Sequence, residues 1–230
     1  MKKTLILLFV AALGAGTMSS CKKSNKGKLS GEWTVASLSE TSSSTSGNPS
    51  TTSTTVVSST DGAAVSVVSS STAANSTTTT MNGTIAANTW TIEKDGTWSM
   101  IRDVTFSGSE TGYTWTQSER ETTTGTWSFV GKDKSAEFKR NDRVIFNTLT
   151  SVSAYSDSYT VTGGSAVAST SSDSYSWATG ENQATYVITE SKKKALTLMQ
   201  DGSSAWSDTD AGGTTSGSST STSTMSLTQD

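Results

Sequence analysis

Between Thr97 and Phe106 the chain runs Thr-Trp-Ser-Met-Ile-Arg-Asp-Val-Thr-Phe, which puts Trp98, Met100, Val104 and Phe106 on one face at a period of two. The same alternation returns at Trp90 and Ile92, Tyr113 and Trp115, Trp127 and Phe129, Val144 and Phe146, and Leu196 and Leu198. No helical period of 3.6 competes with it beyond the first twenty residues. A chain patterned in this way must pleat, because only a strand sends every second side chain to the same side. Lys94-Asp95-Gly96 and Thr60-Asp61-Gly62 are hairpin signals. Arg140-Asn141-Asp142-Arg143 reads as a polar turn between Phe138 and Val144. Tyr186 and Ile188 lead into Ser191-Lys192-Lys193-Lys194, and Leu196 and Leu198 come back. The pattern predicts an all-β fold, an antiparallel meander of about eight to ten short strands that closes on itself to remove its edges.

Ser and Thr make up close to two-fifths of the residues, while Leu, Ile, Val and Phe are sparse. Seven Trp residues supply the burial that the missing aliphatics do not. The Ser/Thr-rich stretches near 41–80, 151–182 and 207–222 are expected to be long polar insertions, the first of them holding the only proline, Pro49. Val56-Val57 and Val65 to Val68 flank Asp61-Gly62, so a hairpin is expected to project from the first insertion. Met225 and Leu227 alternate at the end of the chain, enough for one last strand. Residues 29–230 are read as one β domain.

The N-terminus carries a different signal. Lys2 and Lys3 precede an apolar run from Leu5 to Leu13, and small residues follow, as in an export signal over residues 1–20. The apolar core is roughly a dozen residues, too short to span about 30 Å of hydrocarbon. Met18-Ser19-Ser20-Cys21 resembles a lipobox, with Met18 and Ser20 as tolerated departures from the usual Leu and Gly or Ala. Cys21 is the only cysteine, and an exported protein seldom leaves a thiol unpaired. The reading is therefore a cysteine diacylated and palmitate-bearing at the mature N-terminus, followed by a basic tether, Lys22 to Lys28. Acyl chains contribute about 0.8 kcal/mol per buried CH₂, so two or three hold a protein to a bilayer unaided. Lys22, in place of Asp, resembles the sorting signal for the outer membrane. The lack of an acidic run after Cys21 favours the periplasmic face over the cell surface.

Without residues 1–20 the chain loses two of its 17 basic groups and none of its 20 acidic ones, leaving a net charge of −5. That sign argues against nucleic acid as a partner. There is no histidine, and lipidation consumes the one thiol, so Ser-His-Asp and Cys-His catalysis and the usual zinc and iron–sulfur sites are excluded. No glycine-rich phosphate loop is present, and no cofactor is expected. Glu119 and Glu121 share a strand face in the manner of paired acids, and are read as a solvated face. The expected protein is not an enzyme.

Gly31-Glu32-Trp33 at the first strand is the Gly-x-Trp of lipocalins. Asp95-Gly96-Thr97, Gly125-Thr126-Trp127 and Tyr186-Val187-Ile188 before Leu196-Thr197-Leu198 follow in an order that resembles the lipocalin-like lipoproteins of Bacteroidota. The resemblance covers roughly residues 29 to 200 and implies a lipocalin-like barrel in which Gly31 and Trp33 are structural, Trp33 plugging the floor. It lacks the late Arg that packs on this Trp in lipocalins proper, the last Arg here being Arg143, and it carries no ligand specificity. Trp98, Met100, Tyr113 and Trp115 are candidates to line a ligand cup, or else simply to fill the interior. Arg102 lies in register with Trp98 and Val104, so strict alternation points it inward, where it would meet a carboxylate or phosphate head group, unless a bulge or the rim turns it out. Two functions follow: an envelope carrier of a small hydrophobic ligand, or a structural or interaction lipoprotein with a fully packed barrel.

Overall fold

The computed structural model describes residues 26–46, 50–132, 141–210 and 213–229. Residues 1–20, read above as an export signal, Cys21 with the stretch that resembles a lipobox, Lys22 to Asn25, Pro49, Phe138 and Arg140 lie outside the described residues. A single helical turn, α1 (Lys26–Leu29), precedes eleven strands: β1 (Gly31–Ser46), β2 (Thr51–Ser59), β3 (Ala64–Ser71), β4 (Thr79–Ile92), β5 (Thr97–Glu110), β6 (Tyr113–Gly131), β7 (Asp142–Val161), β8 (Ala166–Ser176), β9 (Gln183–Ser191), β10 (Ala195–Asp210) and β11 (Gly213–Thr228). Every strand pairing among the described residues is antiparallel, and the sheet runs β6-β5-β4-β3-β2-β1-β11-β10-β9-β7, with β6 pairing back onto β7. Ten strands thus form a closed barrel, and β8 is an eleventh strand added to β7.

The barrel has two unlike ends. At one end β1 pairs directly with β4, Trp33 lying opposite Trp90, and this contact shortens the circuit to eight strands. Farther along, β1 turns to β2, from Leu38↔Ser59 to Ser46↔Thr51, so the β2–β3 hairpin is wedged between β1 and β4. The tip of the wedge is seated at the fork. The backbone N–H of Ile85 donates to the carbonyl of Ala63 at 2.7 Å, and both Ala63 and Ala64 N–H donate to the Asp61 carboxylate. Gly62 has φ +69° and its α-carbon comes so close to β1 that a Cβ would sit 2.4 Å from the Val35 carbonyl oxygen.

The core lies at the eight-strand end. Trp33, Val35, Trp90, Ile92, Trp98, Trp127, Val144, Phe146, Ile188, Leu196, Leu198, Met225 and Leu227 form one buried cluster, with Leu29 of α1 lying across it. Burying a Trp removes about 150–250 Å² of surface, worth roughly 4–6 kcal/mol before entropy is subtracted, so four Trp replace the missing aliphatics. Met225 and Leu227 are both buried on β11, which pairs with β1 and β10 and completes the circuit.

The Ser/Thr-rich stretches differ from expectation. The hairpin expected around Asp61-Gly62 is present as β2 and β3, but where the rest was predicted as long polar loops the chain forms strands: the far half of β1, the far half of β7, all of β8, and the far halves of β10 and β11. Thr is β-branched and suits a pleated surface. Hydroxyls tie these strands together, as between Thr45 and Thr52 (2.8 Å), Thr124 and Thr150 (2.6 Å) and Ser204 and Ser219 (2.8 Å). Gly125-Thr126-Trp127, which reads as a strand start, lies within the nineteen-residue β6 at a bulge opposite Thr148.

Candidate functional site

The floor is held by aromatic contacts and by Trp N–H donors. Trp90 stacks on Trp98 at 5.1 Å, Phe146 meets both edge-on at 5.2 and 5.1 Å, and Tyr186 closes the group against Trp90 and Phe146. Trp33 donates to the Leu29 carbonyl at 2.8 Å, Trp127 to the Glu93 carbonyl at 2.8 Å, and Trp98 to the Asn147 carbonyl at 3.3 Å. Gly125 makes the last approach possible: a Cβ there would lie 2.0 Å from the Asn147 carbonyl oxygen and 2.7 Å from Trp98 Nε1. Asn147 is itself buried and answered, its Oδ1 accepting from Gly180 N–H at 2.7 Å. Trp33, given by the resemblance as the floor plug, is buried in this cluster.

Above the floor the inward side chains become polar. On β5 the inward series continues from Trp98 and Met100 to Arg102, and the register sets Arg102 opposite Glu121 on β6 and Asn88 on β4. Arg102 Nη2 lies 3.1 Å from Glu119 Oε1 and 3.5 Å from Glu121 Oε2. The outer oxygen of this network, Glu121 Oε1, accepts from the hydroxyls of Thr123 and Ser151, each at 3.1 Å. Arg102 Nε is buried without a hydrogen-bond partner. Glu119 and Glu121, read from the sequence as a solvated face, therefore turn inward to a shared guanidinium. Across the barrel the row Glu40 and Ser223 sits beside the floor, with the Ser223 hydroxyl donating to Glu40 at 3.3 Å. Burial, and then the charge of Glu40, push the Tyr186 phenol up to about 12.

The side chains of Arg102, Glu119 and Glu121 keep 36%, 28% and 23% of their surface exposed, although they point inward. Water reaches the lumen at this level, whereas Trp33, Phe146 and Leu198 below are sealed. Among the described residues no cluster of acidic or thiol groups could hold a metal ion, and no helix is long and apolar enough to cross a membrane.

The sequence-predicted cup residues are not brought together. Trp98 is stacked in the floor and Met100 packs against it, with Arg102 just above. Trp115 lies over Gly108 near the opposite mouth, and Tyr113 is exposed at the tip of β6. Trp98 pairs with Gly125, ten residues along β6 from Trp115, or roughly 33 Å. Glu40, Asn88, Ser151, Ser153 and Tyr186 join the inner wall without having been picked out as site residues. Period two back from Trp90 reaches Asn88, and back from Ile188 it reaches Tyr186, which was the signal for those two. Glu40 gave none, because the β1 bulge between Val35 and Ser37 resets the alternation. A shallow groove of about 550 Å³ also lies on the outer face of β5–β8, beside the Asp103–Arg120 pair. Comparison with known protein families, with curated proteins and with solved structures gives no match.

Proposed function

We propose that the protein is a non-catalytic binding barrel of the cell envelope, held to the outer membrane through a lipid on Cys21, that carries a small ligand in its open half. The supporting observation is the change along the inner wall, from a sealed aromatic floor to an Arg102–Glu119–Glu121 layer that points inward yet stays wet. A ligand would rest an apolar body on Met100 and Tyr186 and direct a polar group to the charged layer. The lipobox and the basic tether support the anchor. The second reading, a packed structural barrel, has its support in the stacked Trp90 and Trp98, which leave no room at the floor itself.

Native mass spectrometry of the protein extracted from its own membranes separates the two readings. A co-purified small molecule, together with saturable quenching of Trp fluorescence by fatty acids, ring compounds or sterol analogues that weakens in Arg102→Ala, is the expected result. A bare mass in repeated preparations, with no saturable change for any class, would sink the carrier reading. Cys21→Ala is expected to release the protein from the membrane fraction, and its retention there would remove the lipid anchor from the proposal.

A further inference from the structure

Closed near the floor, the wall of the barrel parts on one side beyond it. β9 pairs with β10 only near the floor, and their register ends at Leu198↔Ile188 and Met199↔Val187. β10 continues on β11 as far as Asp210↔Gly213, so from Gln200 onward its other edge pairs with no strand among the described residues. On the opposite lip β8 takes over the edge of β7 where β9 leaves it, from Thr150↔Ser176 to Thr160↔Ala166, and its outer edge is equally unpaired. Every residue of β8 is exposed, as are Asp201 to Ala205 on β10, so both faces of β8 and of that part of β10 are in water. Each lip offers eleven residues, Ala166–Ser176 and Gln200–Asp210, a seam of roughly 36 Å.

Free edges of this length are normally blunted by Lys, Pro or a bulge. Neither lip has a Lys, an Arg or a Pro, and together they carry Asp173, Asp201, Asp208 and Asp210. The Lys192-Lys193-Lys194 turn that guards the β9–β10 hairpin is at the floor, away from the seam. An unpaired strand edge presents N–H and C=O groups at a spacing that another extended backbone matches. The sign of the lips then selects among backbones. A second copy would bring acid against acid, whereas a basic strand would place cations opposite Asp173 or Asp201, with cross-strand Cβ atoms about 5 Å apart.

We propose that the seam between β8 and the far half of β10 is a docking site for an extended, lysine- or arginine-rich polypeptide segment, which adds to the sheet by backbone pairing. The site is separate from the lumen and stands whether or not the lumen holds a small ligand.

The test uses the full mature chain and a synthetic eleven-residue peptide of alternating Thr, Lys and Val, read by fluorescence anisotropy and by amide hydrogen exchange. The expected result is saturable binding with new protection confined to residues 166–176 and 200–210. N-methylation of alternate peptide amides is expected to weaken binding more than about tenfold, because several backbone bonds are lost together. The double variant Asp173→Lys with Asp201→Lys alters only exposed side chains, and it is expected to lose about tenfold for the Lys peptide and to gain for a Glu counterpart. Equal binding of the N-methylated peptide would reduce the effect to charge alone and overturn the proposal. So would the absence of binding, or concentration-dependent self-association that protects the same strands.

Discussion

At Tyr186 the ring meets Trp90 and Phe146 edge-on, at 6.4 and 5.9 Å, and the charge of Glu40 stands nearby. Burial first, and Glu40 second, raise its ionisation from the ordinary phenol value near 10 to about 12. The folded chain therefore keeps this proton after the unfolded chain has lost it. Stability from the neutral phenol is fully present below pH 10 and falls as pH rises toward 12, by about 3 kcal/mol in all. Tyr186→Phe is expected to flatten that part of the alkaline stability curve while leaving neutral pH little changed. The check is urea unfolding at stepped pH. If wild type and variant fall in parallel, Tyr186 is not the group responsible. Arg102 illustrates the same scale from the other side, since one guanidinium answers two inward carboxylates that would otherwise oppose each other.

Among the elements, the β2–β3 hairpin depends on its turn more than on its strands. Gly62→Ala asks a left-handed residue to accept a Cβ and drives that Cβ into the Val35 carbonyl, a backbone atom that cannot rotate away. The expected cost is about 2–3 kcal/mol in chemical denaturation. An unchanged midpoint would mean that the turn is not seated at the fork. This hairpin was legible in the sequence because Val56-Val57 and Val65 to Val68 bracket Asp61-Gly62, a signal carried by turn chemistry. So were the strands of the floor, where Trp, Phe and Leu contrast with polar neighbours at every second position. The far half of β1 and all of β8 were not legible, since a run of Ser and Thr is polar on both faces and has no alternation to read. The ligand cup was misjudged for a related reason. Alternation tells which face Trp98 and Trp115 share and is silent on height, and strands taken as short left the two ends of β6 too near each other.

Across the whole molecule, apolar burial is concentrated at one end and hydrogen-bonded hydroxyls hold the other. Local opening free energy follows buried apolar contact, so amide exchange is expected to be slowest around Trp33, Trp90, Trp98, Phe146 and Leu198. It is expected to be fastest in β8 and the far halves of β10 and β11. Uniform protection along each strand would contradict this picture. The β1–β4 contact gives the gradient a further meaning. Because the circuit is already complete at eight strands, the two strands of the hairpin enlarge only the part of the wall beyond the fork. Barrel girth grows with strand number, so the insertion adds two strands to the wall beyond the fork and none to the eight-strand ring. Lengthening, shortening or excising that insertion is expected to alter the rim and to leave the eight-strand ring closed, so the breadth of the mouth and the integrity of the fold are set by different stretches of chain.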